Sequence, residues 1–144
     1  MPILITDSSL NRGHKKAVRE SFELIISEFS GQLSESKAEL IYKKICLIEN
    51  SNQNLVKALS DYLFAIYQFL DLPNQTQFHL LSEKRLIAAL IYFSQIDDVI
   101  PDTIAYIGYL DDAYCVNHAL SKQSISINQK IDHIVDALKA LRRI

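Results

Sequence analysis

The scarcity of turn-forming residues constrains the fold of this chain more than any other feature of its sequence. Only three glycines and three prolines occur in 144 residues. Because tight turns depend on these two residues, such a low number favours long helices joined by short connections and argues against an all-β fold. Hydrophobic residues make up 49% of the chain and charged residues 22%, which is the balance of a globular protein rather than a disordered one.

Apolar residues recur at helical spacing through most of the chain and predict five or six helices. Ser36 and Ser126 each open a pattern typical of a capping box at a helix start. The helix that starts near Ser82 contains the run LIAALIYF and is apolar almost all round, which predicts a position at the centre of the fold. In the helix before it, the predicted buried stripe consists of Leu55, Leu59, Tyr62, Ile66 and Phe69.

No internal repeat, low-complexity tract or linker divides the chain. We therefore predict an all-α protein with a single compact domain over residues 1–144, in which residues 1–12 form an N-terminal segment.

The segment SQIDDVIPDTIAYIGYLDD, residues 94–112, contains five aspartates and no lysine or arginine, and we call it the acidic stretch. An aspartate at a helix start accepts hydrogen bonds from backbone N–H groups and lies at the positive end of the helix dipole. Pro101 suits the first position of a short helix, and Gly108 suits the left-handed conformation that ends one. We therefore predict a Pro/Asp/Gly corner between the central apolar helix and the next helix, with most of the aspartates acting as caps.

Together with its flanking helices, this segment resembles the core motif of the YkvA-like family of bacterial proteins of unknown function. The motif of that family is a hydrophobic helix, a Ser-Pro-Ile-Asp-x-Ile-Pro-Asp pattern, a Gly-x-x-Asp-Asp group and a second helix. Nine positions of this chain match the motif: Ser94, Ile96, Asp97, Ile100, Pro101, Asp102, Gly108, Asp111 and Asp112. Gln95 and Ala105 stand where the motif has prolines. The resemblance, at residues 84–121, implies a small helical domain and implies no known reaction.

Four of the aspartates form a candidate metal site if the corner folds back on itself: Asp97, Asp102, Asp111 and Asp112. Carboxylate oxygens are the ligands that Mg²⁺ and Ca²⁺ prefer, and Mn²⁺ also accepts them. Clustered carboxylates repel one another unless a positive charge lies between them, and a basic side chain can supply that charge as well as a metal ion can. Helix capping with internal salt bridges, and no cofactor, is therefore the alternative to a metal site.

Sequence motifs of the common catalytic sites are absent. The chain has no GxSxG, P-loop, HExxH or Glu-x-x-His pattern. His118 lies seven residues after Asp111, on the same face of a predicted helix, which permits a weak pairing between them. Cys46 and Cys115 are far apart, have no CxxC pattern and are predicted to be reduced. The sequence does not decide whether the protein is an enzyme, but the absence of these motifs favours a non-catalytic protein.

Charge and aromatic residues indicate which surfaces are candidates for binding. The net charge of −2 and the pI of about 6.1 argue against nucleic acid as a partner. A basic cluster near the start of the chain is either a solvated face or a contact for phosphate or an anionic membrane: Arg12, His14, Lys15, Lys16 and Arg19. The aromatic residues around the acidic stretch are interpreted as core residues whose hydroxyls reach carboxylates, with an interface as the alternative: Tyr92, Phe93, Tyr106, Tyr109 and Tyr114.

These observations predict a non-catalytic, cytoplasmic helical interaction or accessory protein with a structural acidic corner. Its partner is another protein or a second copy of the chain. No signal peptide is recognised, and the longest apolar run is too short to span a bilayer. Two alternatives stay open, which are a carboxylate-bound divalent-metal protein with hydrolase activity and a peripheral membrane protein.

Overall fold

The computed structural model describes residues 12–95 and 109–142, and these residues form six α-helices with no strand beyond one isolated bridge. The helices are α1 (Arg12–Glu28), α2 (Glu35–Ile48), α3 (Asn54–Phe69), α4 (Leu81–Ser94), α5 (Leu110–Ser121) and α6 (Ile125–Arg142). The prediction of an all-α fold is confirmed. The predicted Pro/Asp/Gly corner, with Pro101 and Gly108, lies outside the described residues.

Helix α4 lies at the centre of the fold, as its apolar character predicts. It packs against α1, α2 and α5, while α5 also packs against α1 and α3. Seven of the fourteen residues of α4 are buried: Leu86, Ile87, Ala88, Ala89, Leu90, Tyr92 and Phe93. The acidic stretch therefore connects two helices of the core, α4 and α5.

Two helices begin two residues earlier than the capping patterns predict. Helix α2 starts at Glu35, and the N–H of Lys37 donates to the side-chain oxygen of Ser34 at 3.2 Å. Helix α6 starts at Ile125 and has the equivalent hydrogen bond to Ser124. In each case the predicted cap, Ser36 or Ser126, lies in the first turn because an upstream serine already supplies the capping oxygen.

Helix α6 is peripheral and packs mainly on α3. It buries two apolar side chains, Ile131 and Val135, in the described core. Near its C-terminus the guanidinium of Arg142 forms an ion pair with the carboxylate of Asp61 on α3, which is 7% exposed. The ion pair fixes the end of a helix that contributes little to the core.

Backbone hydrogen bonds join the connection before α2 to the connection after α3. We call this pairing of residues 31–33 with residues 76–78 the loop bridge. The N–H of Phe78 donates to the carbonyl of Gly31 at 2.6 Å, and the N–H of Leu33 donates to the carbonyl of Thr76 at 2.8 Å. Gly31 has φ of +95°, and a Cβ atom there would lie 3.1 Å from the Phe78 carbonyl oxygen. This position requires glycine, and the connection before α2 is thereby attached to the connection after α3.

Candidate functional site

The acidic stretch is described at its C-terminal end, where Asp111 and Asp112 occupy the first turn of α5. Both residues are 0% exposed. The other two predicted metal ligands, Asp97 and Asp102, lie outside the described residues. Residues 12–95 and 109–142 contain no group of three or more His, Cys, Asp or Glu residues that could hold a metal ion. The four-aspartate metal site therefore stays a prediction.

Asp111 connects α5 to α4. Its Oδ2 atom accepts a hydrogen bond from the hydroxyl of Tyr92 at 2.9 Å, and its Oδ1 atom accepts one from the N–H of Asp112 at 3.0 Å. A buried carboxylate is stable only when hydrogen bonds or opposite charges compensate for its lost hydration. The expected hydrogen bond between a core tyrosine and an aspartate is confirmed for Tyr92, which is 1% exposed.

A cation lies at the end of α4, where the acidic stretch begins. The ammonium of Lys44, on α2, donates to the carbonyl of Phe93 at 2.5 Å and lies 4.8 Å from the centre of the Phe93 ring. This carbonyl belongs to the last turn of α4, which is the negative end of the helix dipole. Lys44 therefore places positive charge one residue before Ser94, the first residue of the acidic stretch.

His118 lies between α1 and α5. Its Nε2 atom is 3.7 Å from the carboxylate of Glu23, its ring meets Phe22 edge-on at 5.6 Å, and it stacks on Tyr114 at 6.3 Å. Burial lowers the pKa of His118 below its usual value, and Glu23 opposes this shift. Its carboxylate neighbour is thus Glu23 of α1, whereas Asp111, the pairing that the sequence permits, receives the Tyr92 hydroxyl.

A concave surface with an apolar lining lies between α2 and α3, and we call it the α2–α3 cleft. It has a volume of about 410 Å³ and an apolar lining of Tyr42, Phe64, Tyr67, Leu72 and Pro73. Glu39, Lys43 and Gln68 form its polar rim. The ring of Tyr42 lies 5.8 Å from that of Phe64 and 5.6 Å from that of Tyr67.

The predicted aromatic set around the acidic stretch does not include any residue of this cleft. Phe64 and Tyr67 fall beside the buried stripe predicted for α3, and Tyr67 is only 6% exposed. The signal in the sequence was the run LFAIYQFL, residues 63–70, which is too apolar for a helix that buries one narrow stripe. An apolar face as wide as this indicates that the helix has a second contact surface beside its buried stripe.

Basic residues occupy one face of α1, as the sequence predicts. Arg12, Lys15, Lys16 and Arg19 follow one another at helical spacing beside an open groove of about 1080 Å³, which Glu20 and Glu23 also line. The first turn of α1 contains no acidic residue. Cations at the N-terminal end of a helix are unfavourable because the helix dipole is positive there, so this placement does not serve the stability of α1.

None of the six described helices combines the length and the apolar character that crossing a bilayer requires. Neither cysteine forms a disulfide; Cys46 is partly exposed and Cys115 is buried.

Comparison with known protein families finds a similarity over a range that includes the acidic stretch. Residues 85–117 match the model of a family described as a protein of unknown function (DUF1232). No curated protein and no solved structure matches the chain. The YkvA-like resemblance is consistent with this match. The part of the chain from within α4 to within α5 is therefore similar to the DUF1232 family, whose description assigns no activity.

Proposed function

We propose that this chain is a non-catalytic helical interaction protein that binds a partner polypeptide in the α2–α3 cleft. The observation that carries the proposal is the side chain of Tyr42, which is 41% exposed although its ring contacts those of Phe64 and Tyr67. An exposed aromatic ring held by other rings offers a partner a large apolar contact with little side-chain entropy left to lose.

The environment of Asp111 and Asp112 supports a structural role for their part of the acidic stretch. Both carboxylates are 0% exposed, so neither offers a surface to a macromolecular partner. The hydrogen bond from the Tyr92 hydroxyl to Asp111 connects α4 to α5. Binding is therefore assigned to a different part of the molecule.

In this proposal the cleft binds a short segment of a partner polypeptide, which inserts one side chain. The cleft volume of about 410 Å³ lies near the lower end of the range of about 300–1,000 Å³ that is typical of ligand pockets. This volume suits one long side chain with its adjoining backbone rather than a whole helix. Glu39 and Lys43 resemble the polar rim that surrounds the apolar centre of a protein interface.

Selection from a displayed library of random peptides tests this proposal. Peptides selected on the protein are expected to bind Tyr42→Ala about 30-fold more weakly, because an aromatic residue at the centre of an interface contributes roughly 2 kcal/mol. Leu81→Ala is the matched control, because Leu81 is a similarly exposed apolar residue, 52%, on α4. Peptides that bind both variants as tightly as the unmodified protein would contradict the cleft as the binding site.

A second candidate function, binding to an anionic membrane surface, is favoured by the basic face of α1. Its four cations lie within two helical turns, at the positive end of the helix. Each lysine or arginine near an anionic bilayer contributes about 1 kcal/mol at low ionic strength. Glu20 and Glu23 line the same groove and offset part of this attraction, so the association is expected to be weak and reversible.

Co-sedimentation with vesicles of one-third phosphatidylserine tests this second candidate. Binding is expected at low salt and should be lost in Lys15→Glu/Lys16→Glu and at high salt, since exposed charges are screened. Lys130→Glu/Lys139→Glu, two exposed lysines of α6, makes the same charge change elsewhere. Equal loss in both double variants would show that net charge, rather than the face of α1, governs binding.

A further inference from the structure

Helix α2 exposes two leucines on the side that faces away from the core. Leu40 is 59% exposed and Leu47 is 80% exposed. They are seven residues apart, so they lie on nearly the same side of the helix and about 10.5 Å apart along its axis. The buried stripe of α2, which includes Ile41 and Ile45, occupies a different side. The two leucines thus form an exposed apolar row, which we call the leucine row.

Lysines flank the leucine row on both sides. Lys37 precedes Leu40 by three residues and Lys43 follows it by three, so they lie about 60° to either side of the row. Lys43 is exposed and Lys37 is half-buried. Lys44 adds a third positive charge on the side of Lys37, where its ammonium donates to the carbonyl of Phe93. The apolar row is therefore bordered by positive charge.

The carboxylates of α2 lie on the side that faces α3. Glu39 lines the α2–α3 cleft, and Glu49, the C-cap residue, lines a second cavity together with Phe64 of α3. Glu35 precedes Glu39 by about one helical turn and so shares its side. Lys43 lies at the border, because it also lines the cleft. The face around the leucine row is thus basic, which favours an anionic partner and disfavours a second copy of the same face.

We propose that the leucine row binds an acidic amphipathic helix of a partner protein. A helix presents residues that are seven apart on one face, so its apolar side chains match the spacing of Leu40 and Leu47. Carboxylates beside those side chains pair with Lys37 and Lys43, as charges beside a coiled-coil seam select the partner helix. The inference goes beyond the proposed function, because neither leucine lines the α2–α3 cleft.

Chemical-shift titration of the ¹⁵N-labelled full chain tests the inference with three capped, alanine-based helical peptides of equal length. The first carries leucines seven residues apart with glutamates on both sides of them. The second has lysines in place of the glutamates, and the third has the composition of the first with its leucines on opposite faces. The first peptide is expected to shift the amides around Leu40 and Leu47 and to bind about 10-fold more tightly than either of the others.

Variants show whether this binding occurs at the leucine row. Leu47→Ser changes an exposed side chain, so the chain should still fold, and binding of the first peptide should weaken about 10-fold. Leu141→Ser, at a leucine of α6 that is 66% exposed, is the matched control and should leave binding unchanged. Lys37→Gln should weaken binding and reduce its dependence on salt. Tyr42→Ala should have no effect, which separates the row from the cleft.

The possible failures are distinguishable. No shifts around the leucine row, or equal binding of the acidic and basic peptides, would overturn an acidic helix as the partner. Equal binding of the first and third peptides would overturn the role of the leucine spacing. Loss of binding in Tyr42→Ala but not in Leu47→Ser would overturn the row and support the cleft. Sedimentation with phosphatidylserine vesicles that Leu47→Ser abolishes, without peptide binding, would overturn the helix in favour of a membrane surface.

Discussion

At the scale of single residues, the hydroxyl of Tyr92 has the most specific role. It donates to Asp111, whose side chain is fully buried. Tyr92→Phe removes this donor and keeps the ring, so the free energy of unfolding is expected to fall by about 1–3 kcal/mol, the cost of leaving a buried acceptor under-satisfied. Urea denaturation measures this change.

Tyr114→Phe is the matched control for Tyr92→Phe. Tyr114 is half-buried on α5 and its ring stacks on His118, so loss of its hydroxyl should change stability by less than about 0.5 kcal/mol. Similar small losses in the two variants would show that the Tyr92 hydrogen bond contributes little.

His118 is expected to make stability depend on pH. Burial lowers its pKa in the folded state, whereas the unfolded chain retains the ordinary value of about 6.5. Between these two values the unfolded state binds more protons. The contribution of His118 to the free energy of unfolding is therefore complete above about pH 6.5 and is lost as the pH falls through the pKa of the folded state.

Denaturation of the unmodified chain and of His118→Gln at pH 7.5 and pH 5 measures this dependence. The free energy of unfolding should fall more steeply on acidification in the unmodified chain. Equal decreases, or an NMR titration that gives a folded pKa above 6.5, would contradict the prediction. The pairing with Glu23 and the nearby charge of Arg19 could be found only in the structure, because both residues lie on α1 whereas His118 lies on α5.

At the scale of helices, the attachment of α6 to α3 is expected to depend on the ion pair between Arg142 and Asp61. Arg142→Met leaves the buried carboxylate of Asp61 without its cation, and we expect a loss of about 1–3 kcal/mol because the guanidinium is partly exposed and screened. The double variant Asp61→Asn/Arg142→Met should be more stable than Arg142→Met. Additive effects in this double-mutant cycle would contradict the coupling.

The acidic stretch is predicted to be structural, and calorimetry tests this. Chelator-treated protein titrated with Mg²⁺, Mn²⁺ and Ca²⁺ should show no micromolar binding. Asp97→Asn/Asp112→Asn should be less stable because Asp112, although it is not the N-cap of α5, lies in the first turn, where a negative charge contributes about 0.3–1 kcal/mol. Micromolar binding that disappears in a still-folded double variant would establish the metal site instead. In that case a search for hydrolase activity would follow.

Most helices could be predicted from the sequence, but their first residues could not. Periodicity identifies a helix because buried side chains must recur every three or four residues. It does not distinguish between two serines that are two residues apart, such as Ser34 and Ser36. The choice depends on which hydroxyl reaches a free backbone N–H, a difference of one hydrogen bond.

At the scale of the whole molecule, the two cysteines are expected to report on global unfolding. Cys46 is partly exposed and Cys115 is fully buried. A thiol reagent should therefore label Cys46 within minutes, and Cys115 only at the rate of global opening. Cys46→Ser leaves one thiol for this measurement. Rapid labelling of Cys115 under native conditions would show that the core around α5 opens locally.

The α2–α3 cleft could not be predicted because it arises from the packing of two helices against each other. Tyr42 and Phe64 are 22 residues apart in the sequence. Helical spacing identifies which residues share a face, but it does not specify which faces of two helices meet. The acidic stretch, in contrast, is local in sequence, so Asp111 and Asp112 could be assigned to a helix start without knowledge of the packing.

The loop bridge closes the α2–α3 hairpin at its otherwise open end. The opposite end is closed covalently by residues 49–53, so the two helices form a ring that cannot widen unless the hydrogen bonds of Leu33 and Phe78 break. The cleft is thus held in one shape, and a ligand of the proposed kind would meet that shape on arrival. Affinity would lose little to conformational entropy, and association would not wait for an opening step.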